Sequence, residues 1–174
     1  MKHVMVDIEA LGSKTPAVIL SIGAVEFTLA GLEKEFYYRV DVGSSLLHGF
    51  TVDSSTVEWW QKQQTQAKEA AFYCPGAEHL EQVLHRFSQF VNKSTYLWAK
   101  GPDYDAVFIA AAYERLGVPV PWSFRNNRDV RTILALSGEK QAVNALAHNA
   151  LEDAKCQAEA VIRAHIKLGL KMQE

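Results

Sequence analysis

Three groups of acidic residues, far apart in the chain, have the types and spacing that bind metal ions. The first is Asp7-Ile8-Glu9, which ends an apolar run that begins at His3. Residues two apart in a β-strand point to the same side, so these two carboxylates would repel each other and resist desolvation. Divalent cations remove that cost, and oxygen ligands suit Mg²⁺ or Mn²⁺. Alone, the pair is also typical of a solvated strand end.

Two further acids follow the same logic. Asp105 comes after a short strand-like run and falls in the first turn of a predicted helix, where the helix N-terminus favours a carboxylate. Asp153 lies about one turn into the last predicted helix, and His148 precedes that helix. A flexible histidine and a rigid carboxylate would then face one pocket. Taken singly, Asp105 is explained equally by helix capping, for which Asp103 competes, and His148 by an ordinary surface position.

The elements that must position these residues form an α/β pattern. Apolar runs predict strands over residues 3–8, 17–27 and 35–42, joined as an antiparallel meander, and a short strand over 95–99. A helix with capping-box spacing between Ser55 and Glu58 should run through residues 59–72 and end near Cys74-Pro75-Gly76. Further helices are predicted over residues 77–92, 104–116, 128–136 and 149–168. Strands followed by alternating helices and strands indicate an α/β layer fold.

Composition bounds the possibilities. The 174 residues fit one domain, which we take as 1–174. A net charge of −2 argues against a large basic surface for long duplexes. No apolar run approaches the roughly 18–20 residues of a membrane span, and the N-terminus has no signal-peptide pattern. Cys74 and Cys156 form no CxxC pair, which favours ordinary thiols in a reducing, cytoplasmic setting.

The combined order of Asp-x-Glu, Tyr-Asp at a helix start and His-x4-Asp resembles the DEDDh exonuclease family over nearly the whole chain. Val6 to Glu9, followed by the run Leu20-Ser21-Ile22-Gly23-Ala24-Val25, is similar to the family's first motif and second strand. Tyr104-Asp105, followed by Phe108-Ile109, is similar to its second motif, and residues 148–153 have the spacing of its third. The resemblance implies a ribonuclease-H-like fold with a mixed central β-sheet flanked by helices.

One position departs from the family pattern. Many members carry Asn four residues before the acid of the second motif, where this chain has Gly101. Together with Val57-Glu58-Trp59-Trp60 and Arg128-Asp129-Val130-Arg131, this variant resembles a subgroup of mycobacterial-type 3′–5′ exoribonuclease-like and prophage exonuclease-VIII-like proteins. The subgroup slightly favours RNA over DNA as the substrate and leaves the choice open.

The resemblance also implies roles for the residues. Two divalent metal ions, Mg²⁺ or Mn²⁺, would be held by Asp7, Glu9, Asp105 and Asp153, with Asp7 between them and His148 as the general base. The enzyme would release 5′-mononucleotides from the 3′ end of single-stranded or 3′-overhang nucleic acid. Two alternatives remain open. One is a phosphodiesterase of small oligonucleotides, and the other is an inactive nucleic-acid-binding module, against which the complete set of acids argues.

Substrate contacts are predicted outside the acidic residues. Backbone groups of Ala10, Leu11 and Gly12 would meet the terminal nucleotide, with Leu11 packed on its base or serving as a turn residue. Of two adjacent tryptophans on one helix, one should be core and the other free to stack on a base; we assign the contact to Trp60.

Lys100 and Arg128 would reach phosphates. Arg128 belongs to a basic cluster with Arg125 and Arg131, for which a solvated face is the alternative. The tryptophan helix also makes a homodimer plausible.

Overall fold

A five-stranded mixed sheet forms the centre of the molecule. The computed structural model describes residues 2–72, 75–142, 144 and 148–172. The strands are β1 (His3–Ala10), β2 (Ile19–Thr28), β3 (Gly31–Arg39), β4 (Tyr96–Ala99) and β5 (Asn127–Asp129), in the spatial order β3-β2-β1-β4-β5. β1 pairs with β2, and β2 with β3, in antiparallel fashion, whereas β1, β4 and β5 are mutually parallel.

Helices surround this sheet. In the described residues they are α1 (Val42–Leu47), α2 (Ser54–Gln61), α3 (Thr65–Phe72), α4 (Leu80–Phe90), α5 (Asp105–Arg115), α6 (Val130–Ser137) and α7 (Ala150–Leu168), with a short 3₁₀ helix at Phe124–Asn126. None of these helices combines the length and apolar character that crossing a bilayer requires.

The predicted meander is confirmed, with one strand displaced. The third strand was expected over residues 35–42 but occupies Gly31–Arg39. Val42 instead begins α1, a helix that is not among those predicted. The Asp41 carboxylate accepts a hydrogen bond from the Ser44 backbone N–H at 2.7 Å. An Asp in this capping position ends the strand and starts a helix.

The single helix predicted over residues 59–72 is wrong in its continuity and in its cap. The chain forms α2 and α3 with a break between Gln61 and Thr65. Residues 61–66 contain no apolar side chain, so no core contact holds them in a helix, and packing supplies most helix stability in proteins. The N-cap is Asp53 rather than Ser55, whose backbone N–H it binds at 3.0 Å. The predicted end near Cys74 lies outside the described residues.

The alternation of side chains along β1 decides where its acids point. Val4, Val6 and Ile8 pack into the larger core cluster, together with α4 and α5. Met5 packs on the opposite face, in the cluster that includes residues of α6 and α7. Because side chains alternate along a strand, Asp7 and Glu9 continue the Met5 side. The sheet therefore presents both carboxylates toward α7.

Gly23 allows α7 to approach the sheet beside these acids. Gly23 of β2 is paired with Asp7 of β1. A Cβ atom at Gly23 would lie 2.2 Å from both the Ala150 carbonyl carbon and the Leu151 backbone nitrogen. These are backbone atoms of the first turn of α7, so they cannot move aside without displacing the helix. The absence of a side chain at Gly23 thus sets the distance between the start of α7 and β1.

Replacing Gly23 with Ala should therefore push α7 away from the sheet. We expect Gly23→Ala to lower the free energy of unfolding by about 1–3 kcal/mol, the usual cost of overpacking. It should also weaken Mn²⁺ binding, because α7 carries Asp153. Chemical denaturation and calorimetric Mn²⁺ titration measure the two effects.

Gly43→Ala is the matched control for this experiment. Gly43 lies within α1, and a Cβ there would meet only the Asp41 side chain, at 3.3 Å. Gly43→Ala gains helix propensity and requires only a small shift of the Asp41 side chain, so its effect should be small compared with the displacement of a helix backbone. If Gly23→Ala behaved like Gly43→Ala in both measurements, the close approach would not matter.

Candidate active site

Three carboxylates converge at the end of β1. One carboxylate oxygen from each of Asp7, Glu9 and Asp153 can be chosen so that all three oxygens lie within 4.8 Å of one another. Glu9 is buried, and Asp7 and Asp153 are partly accessible. Oxygens at this separation can share one cation, since metal–oxygen bonds of about 2.0–2.6 Å span such a gap.

Asp153 is presented by the capped start of α7. The Asn149 side chain accepts hydrogen bonds from the Leu151 and Glu152 backbone N–H groups at 3.1 and 3.2 Å. Asp153 lies in the first turn, where the helix dipole favours an anion. Its two oxygens accept hydrogen bonds from the Asn144 side-chain amide and from the His148 backbone N–H, both at 3.0 Å. The carboxylate orientation is therefore fixed from two sides.

Asp105 approaches the same place from the start of α5. Its Oδ1 accepts a hydrogen bond from the backbone N–H of Ile8, between Asp7 and Glu9, at 3.1 Å. Asp105 is buried, with 5% of its surface exposed. It is not one of the three carboxylates grouped within 4.8 Å, although its charge contributes to the raised pKa values of Asp7 and Glu9. All four predicted acids thus lie in one region, three of them in mutual reach.

The electrostatics of this region favour the binding of a positive charge. Burial, followed by repulsion from Asp153 and Asp105, raises the pKa of Glu9 to about 8. Burial, Asp105 and Glu9 raise the pKa of Asp7 well above its ordinary value. Burial also raises the pKa of Asp105 to about 7, against the lowering effect of the Ile8 N–H and the Arg131 charge. Carboxyl groups that resist ionisation together become stable anions when a divalent cation binds among them, so the residues fit a metal site.

Gln157 is a contact that sequence reasoning missed. It lies one turn beyond Asp153 on α7 and is buried. Its side-chain amide nitrogen donates a hydrogen bond to Asp7 Oδ1 at 2.8 Å, while its Oε1 has no partner among the described residues. The bond holds the Asp7 carboxylate and ties α7 to β1. The only sequence signal is its i, i+4 spacing from Asp153, which places both residues on one helix face.

His148 lies at the edge of the acidic group. Its φ of 68° is in the left-handed region, which His tolerates better than most residues. Its ring packs edge-to-face against Trp59, with 4.9 Å between centroids, and against Trp60 at 5.9 Å. The backbone N–H donates to Asp153 and the ring packs on α2, so both ends of the residue are held in place.

A cavity of about 440 Å³ opens beside Glu9. Its walls combine the end of β1, the start of α2 and the side chain that precedes Asp105; the lining residues are Ile8, Glu9, Ala10, Gly12, Ser13, Ser55, Thr56, Trp59, Trp60 and Tyr104. Tyr104 closes one side by donating a hydrogen bond from its hydroxyl to the Gly12 carbonyl at 2.9 Å. The cavity therefore adjoins the acids directly.

The contact through Trp60 stays a prediction: Trp60 lines this cavity but forms its buried floor. It is 1% exposed, and its indole N–H donates to the Ala10 carbonyl at 3.1 Å. The accessible indole is that of Trp59, with 43% exposed. Adjacent helix positions differ by about 100° around the axis, and the sequence does not tell which of the two faces the core.

The backbone groups of Leu11, in the segment after Glu9, are hydrogen-bonded within the chain. The Leu11 backbone N–H donates to Val18 at 2.8 Å, and its carbonyl accepts from Asp53 at 2.7 Å. The Leu11 side chain is buried, with 5% exposed, so the predicted packing on a base has almost no surface to use. Ala10 and Gly12 do line the cavity.

The two predicted basic contacts have different surroundings. Lys100 is exposed in the loop between β4 and α5. The Arg128 guanidinium lies 4.4 Å from the centre of the Tyr96 ring and donates to the carbonyls of Arg125 and Asn127 at 3.1 and 2.9 Å. Both bonds come from Nη1 and hold the guanidinium against the protein, and the phosphate contact through Arg128 stays a prediction.

Comparisons with known proteins agree with this architecture. The model of the Rv2179c-like 3′–5′ exoribonuclease domain matches residues 2–164. No curated protein matches the chain significantly. The nuclease domain of 3′hExo, a DEDDh family member bound to rAMP, superposes with a TM-score of 0.61 at 14% identity, over 99% of this chain and 94% of that one. At such identity the likeness shows the shared fold.

Exonuclease I has the same fold within a larger chain. Its apo structure gives a TM-score of 0.63 at 11% identity, over 96% of this chain and 41% of that one. The E. coli enzyme in complex with a 5cy-dT13 oligonucleotide gives 0.50 at 14% identity, over 97% and 40%. The protein described here thus spans less than half the length of exonuclease I.

The chain thus has a ribonuclease-H-like fold shared with a DEDDh exonuclease, and its family model is that of a 3′–5′ exonuclease. The chain belongs to the Rv2179c-like 3′–5′ exoribonuclease domain family, which confirms the subgroup indicated by its sequence. Enzymes of this type use divalent metal ions, for which the acidic group provides ligands.

The raised pKa values predict a specific dependence of stability on pH. Between the ordinary Glu pKa of about 4.3 and the folded value of about 8, folded Glu9 keeps a proton that the unfolded chain has released. Stability falls with pH wherever the folded state binds more protons. The Tm of the metal-free protein should therefore fall as pH rises from 5 to 8, and Mn²⁺ should raise Tm more at pH 8 than at pH 6.

Scanning calorimetry in EDTA and in Mn²⁺, at several pH values, measures both effects. Glu9→Gln is the informative variant, because it removes one of the three carboxyl groups with a raised pKa and should reduce the pH dependence of the metal-free protein. A Tm that instead stayed constant with pH and did not rise with Mn²⁺ would show that ionising these carboxylates does not destabilise the folded protein.

Proposed function

We propose that the protein hydrolyses single-stranded or 3′-overhang nucleic acid, RNA in preference to DNA, and releases 5′-mononucleotides from the 3′ end with the help of two Mg²⁺ or Mn²⁺ ions. The observation that carries this proposal is the convergence of Asp7, Glu9 and Asp153 within 4.8 Å, with Asp105 bonded to the strand between the first two. Hydrolysis of a phosphodiester requires neutralised phosphate charge and an activated water.

Asp7, Glu9, Asp105 and Asp153 would hold the cations. When bound, two divalent cations supply Lewis acidity, lower the pKa of water and neutralise the phosphate. The contribution of the chain is to fix the carboxylates in advance. Gln157 holds Asp7, the Ile8 N–H holds Asp105, and Asn144 and the His148 N–H hold Asp153.

His148 would act as the general base on the attacking water. A neutral imidazole accepts a proton near physiological pH. The bond from its own backbone N–H to Asp153 keeps it beside the acids, and Trp59 and Trp60 limit where its ring can turn. The contact with Asp153, and the packing of the ring on the two indoles that line the cavity, support this role.

The cavity beside Glu9 would receive the 3′-terminal nucleotide. Its volume of about 440 Å³ lies within the usual range of small-molecule sites, about 300–1,000 Å³. The exposed indole of Trp59 offers a face for a base, and such stacking contributes about 1–3 kcal/mol in single-strand binders. Ser13, Ser55 and Thr56 line the same walls, and the Ser55 hydroxyl donates to Asp53 at 3.0 Å. A hydroxyl on these walls can bond a ribose 2′-hydroxyl, the group that separates RNA from DNA, and this supports the preference for RNA.

Product mapping tests the proposal most completely. Duplexes with 3′ overhangs, made of RNA or DNA and labelled at the 5′ end, are incubated with the enzyme and Mg²⁺ or Mn²⁺. We expect a ladder that shortens from the 3′ end, 5′-mononucleotide products, a stop near the duplex and faster cleavage of RNA. Internal cuts, or products released from the 5′ end, are incompatible with the proposal.

Two variants separate the metal ligands from the base. Asp7→Asn should abolish cleavage, because it removes a central ligand. His148→Ala should lower kcat by about 10²–10⁴-fold, the usual contribution of general base catalysis, and should retain Mn²⁺ binding. His85→Ala, an exposed histidine on α4, is the matched control and should be fully active. Full activity of His148→Ala at neutral pH would rule out its assigned role.

A further inference from the structure

Three parallel strands end at one edge of the sheet and bring a basic residue toward the acids. β1, β4 and β5 are parallel, so their carboxyl ends share an edge. Asp7 and Glu9 lie at the end of β1, Gly101 follows β4, and α6 begins directly after β5. The first turn of α6 contains Arg131, which is exposed. Neighbouring strands lie about 4.8 Å apart, so Arg131 starts roughly 10 Å from β1 along this edge.

Asp129 fixes the position of Arg131 relative to Gly101. The Asp129 carboxylate caps α6 and accepts hydrogen bonds from the Arg131 and Thr132 backbone N–H groups at 3.1 and 3.0 Å. The Thr132 hydroxyl donates to the same carboxylate at 2.6 Å, and β5 places Asp129 beside Ala99, two residues before Gly101. Burial would raise the pKa of Asp129, but the bonds from Thr132 and Arg131 and the nearby Gly101 N–H lower it below its ordinary value. Asp129 therefore lies between the loop after β4 and the start of α6.

The Arg131 guanidinium occupies the space that a side chain at position 101 would need. A Cβ atom at Gly101 would lie 2.6 Å from Arg131 Nη1, 3.1 Å from Asp103 Oδ1 and 3.2 Å from Arg131 Cζ. The φ of Gly101 is +104°, a conformation that side chains rarely adopt. The absence of a side chain at Gly101 therefore leaves space for the Arg131 guanidinium beside the loop that leads to Asp105. The positive charge of Arg131 acts on Asp105, because it lowers the pKa of that carboxyl group.

Arg131 also has unused binding capacity. Within the described part of the chain its guanidinium forms no ion pair. Its neighbours in the basic cluster are engaged elsewhere, since Arg128 donates to two carbonyls and Arg125 lies 5.2 Å from the Phe124 ring centre. A planar guanidinium with free donors matches the geometry of a phosphate.

We propose that Arg131, seated over Gly101, binds the phosphate on the 5′ side of the scissile bond. This inference rests on the proposed function, in which the 3′-terminal nucleotide lies in the cavity beside Glu9 and the scissile phosphate lies at the carboxylates. Arg131 is not among the residues that line that cavity, and its distance from β1 along the edge suits the next phosphate of the strand. The residue is then a substrate contact that holds the chain upstream of the cleaved bond.

Binding and cleavage are measured separately to test this. Fluorescence anisotropy in EDTA, where nothing is hydrolysed, gives the affinity for a single-stranded oligonucleotide at several salt concentrations. Arg131→Ala should weaken binding about tenfold and reduce the slope of log K against log salt by about 0.7, the value for one lost contact to a single strand. Arg131→Lys keeps the positive charge but loses the paired N–H donors of the guanidinium. Its affinity and salt slope should lie between those of the wild type and those of Arg131→Ala. Arg125→Ala is the matched control and should bind like the wild type.

Cleavage of substrates that differ in one phosphate locates the contact. A dinucleotide with a single phosphodiester has no upstream phosphate, so Arg131→Ala should cleave it within about twofold of the wild-type kcat/KM. On longer strands the variant should show a raised KM. A strand whose penultimate linkage is an uncharged methylphosphonate should be cleaved equally by wild type and variant.

Three results would overturn the assignment. They are unchanged affinity and salt slope in Arg131→Ala, an equal loss for the dinucleotide, and an equal loss in Arg125→Ala. Failure of the proposed function itself is distinguishable, because the wild type would then release no 5′-mononucleotides whatever residue stands at position 131.

Discussion

Mutual repulsion among four buried or partly buried carboxylates is the constraint on which the rest of the molecule depends. Asp7 and Glu9 are forced together by the alternation of β1, and Asp105 and Asp153 approach them from the first turns of two helices. Helix N-termini stabilise anions, and backbone or amide donors hold three of the four. These donors do not cancel the repulsion, since the pKa values of Asp7, Glu9 and Asp105 remain raised. A site of this kind is arranged for cations.

The scaffold serves this arrangement through close approaches at two glycines. Gly23 lets the backbone of α7 come against β2 opposite Asp7, so that Asp153 and Gln157 both reach the first strand. Gly101 leaves room for the Arg131 guanidinium beside the loop that carries Asp105. At each position the missing side chain determines what can lie next to a carboxylate. Gly23 allows Asp153 to approach Asp7, and Gly101 allows the Arg131 guanidinium to lie near Asp105.

Much of the fold followed from local patterns. The apolar runs over residues 3–8, 17–27 and 35–42, with short connections, predicted an antiparallel meander. The spacing of His148 and Asp153 around a capped helix start placed both near one pocket. The break between α2 and α3 was missed because Gln-rich sequence has helix propensity but no core contact to use. The helix α1 was missed because its strongest signal, the Asp41 cap, follows a strand directly.

The remainder of the site depends on contacts between distant parts of the chain. Gln157 and Asp7 are 150 positions apart, and nothing local to either residue indicates the bond. The choice between Trp59 and Trp60 depends on how α2 is rotated against the Ala10 carbonyl, which composition does not fix. Arg128 and Arg131 look alike in sequence, yet one is bonded to carbonyls and the other lies over a glycine. Sequence located the acids, and tertiary packing determined the residues around them.

The central claim is that Asp7, Glu9, Asp105 and Asp153 are gathered to hold cations. Anomalous diffraction from crystals soaked in Mn²⁺ tests it directly, because it locates the ions without reference to activity. The account predicts two manganese peaks about 3.5–4 Å apart, bounded by the oxygens of these four side chains. Manganese bound elsewhere, or a site that stays empty at saturating Mn²⁺ above pH 8, would contradict it.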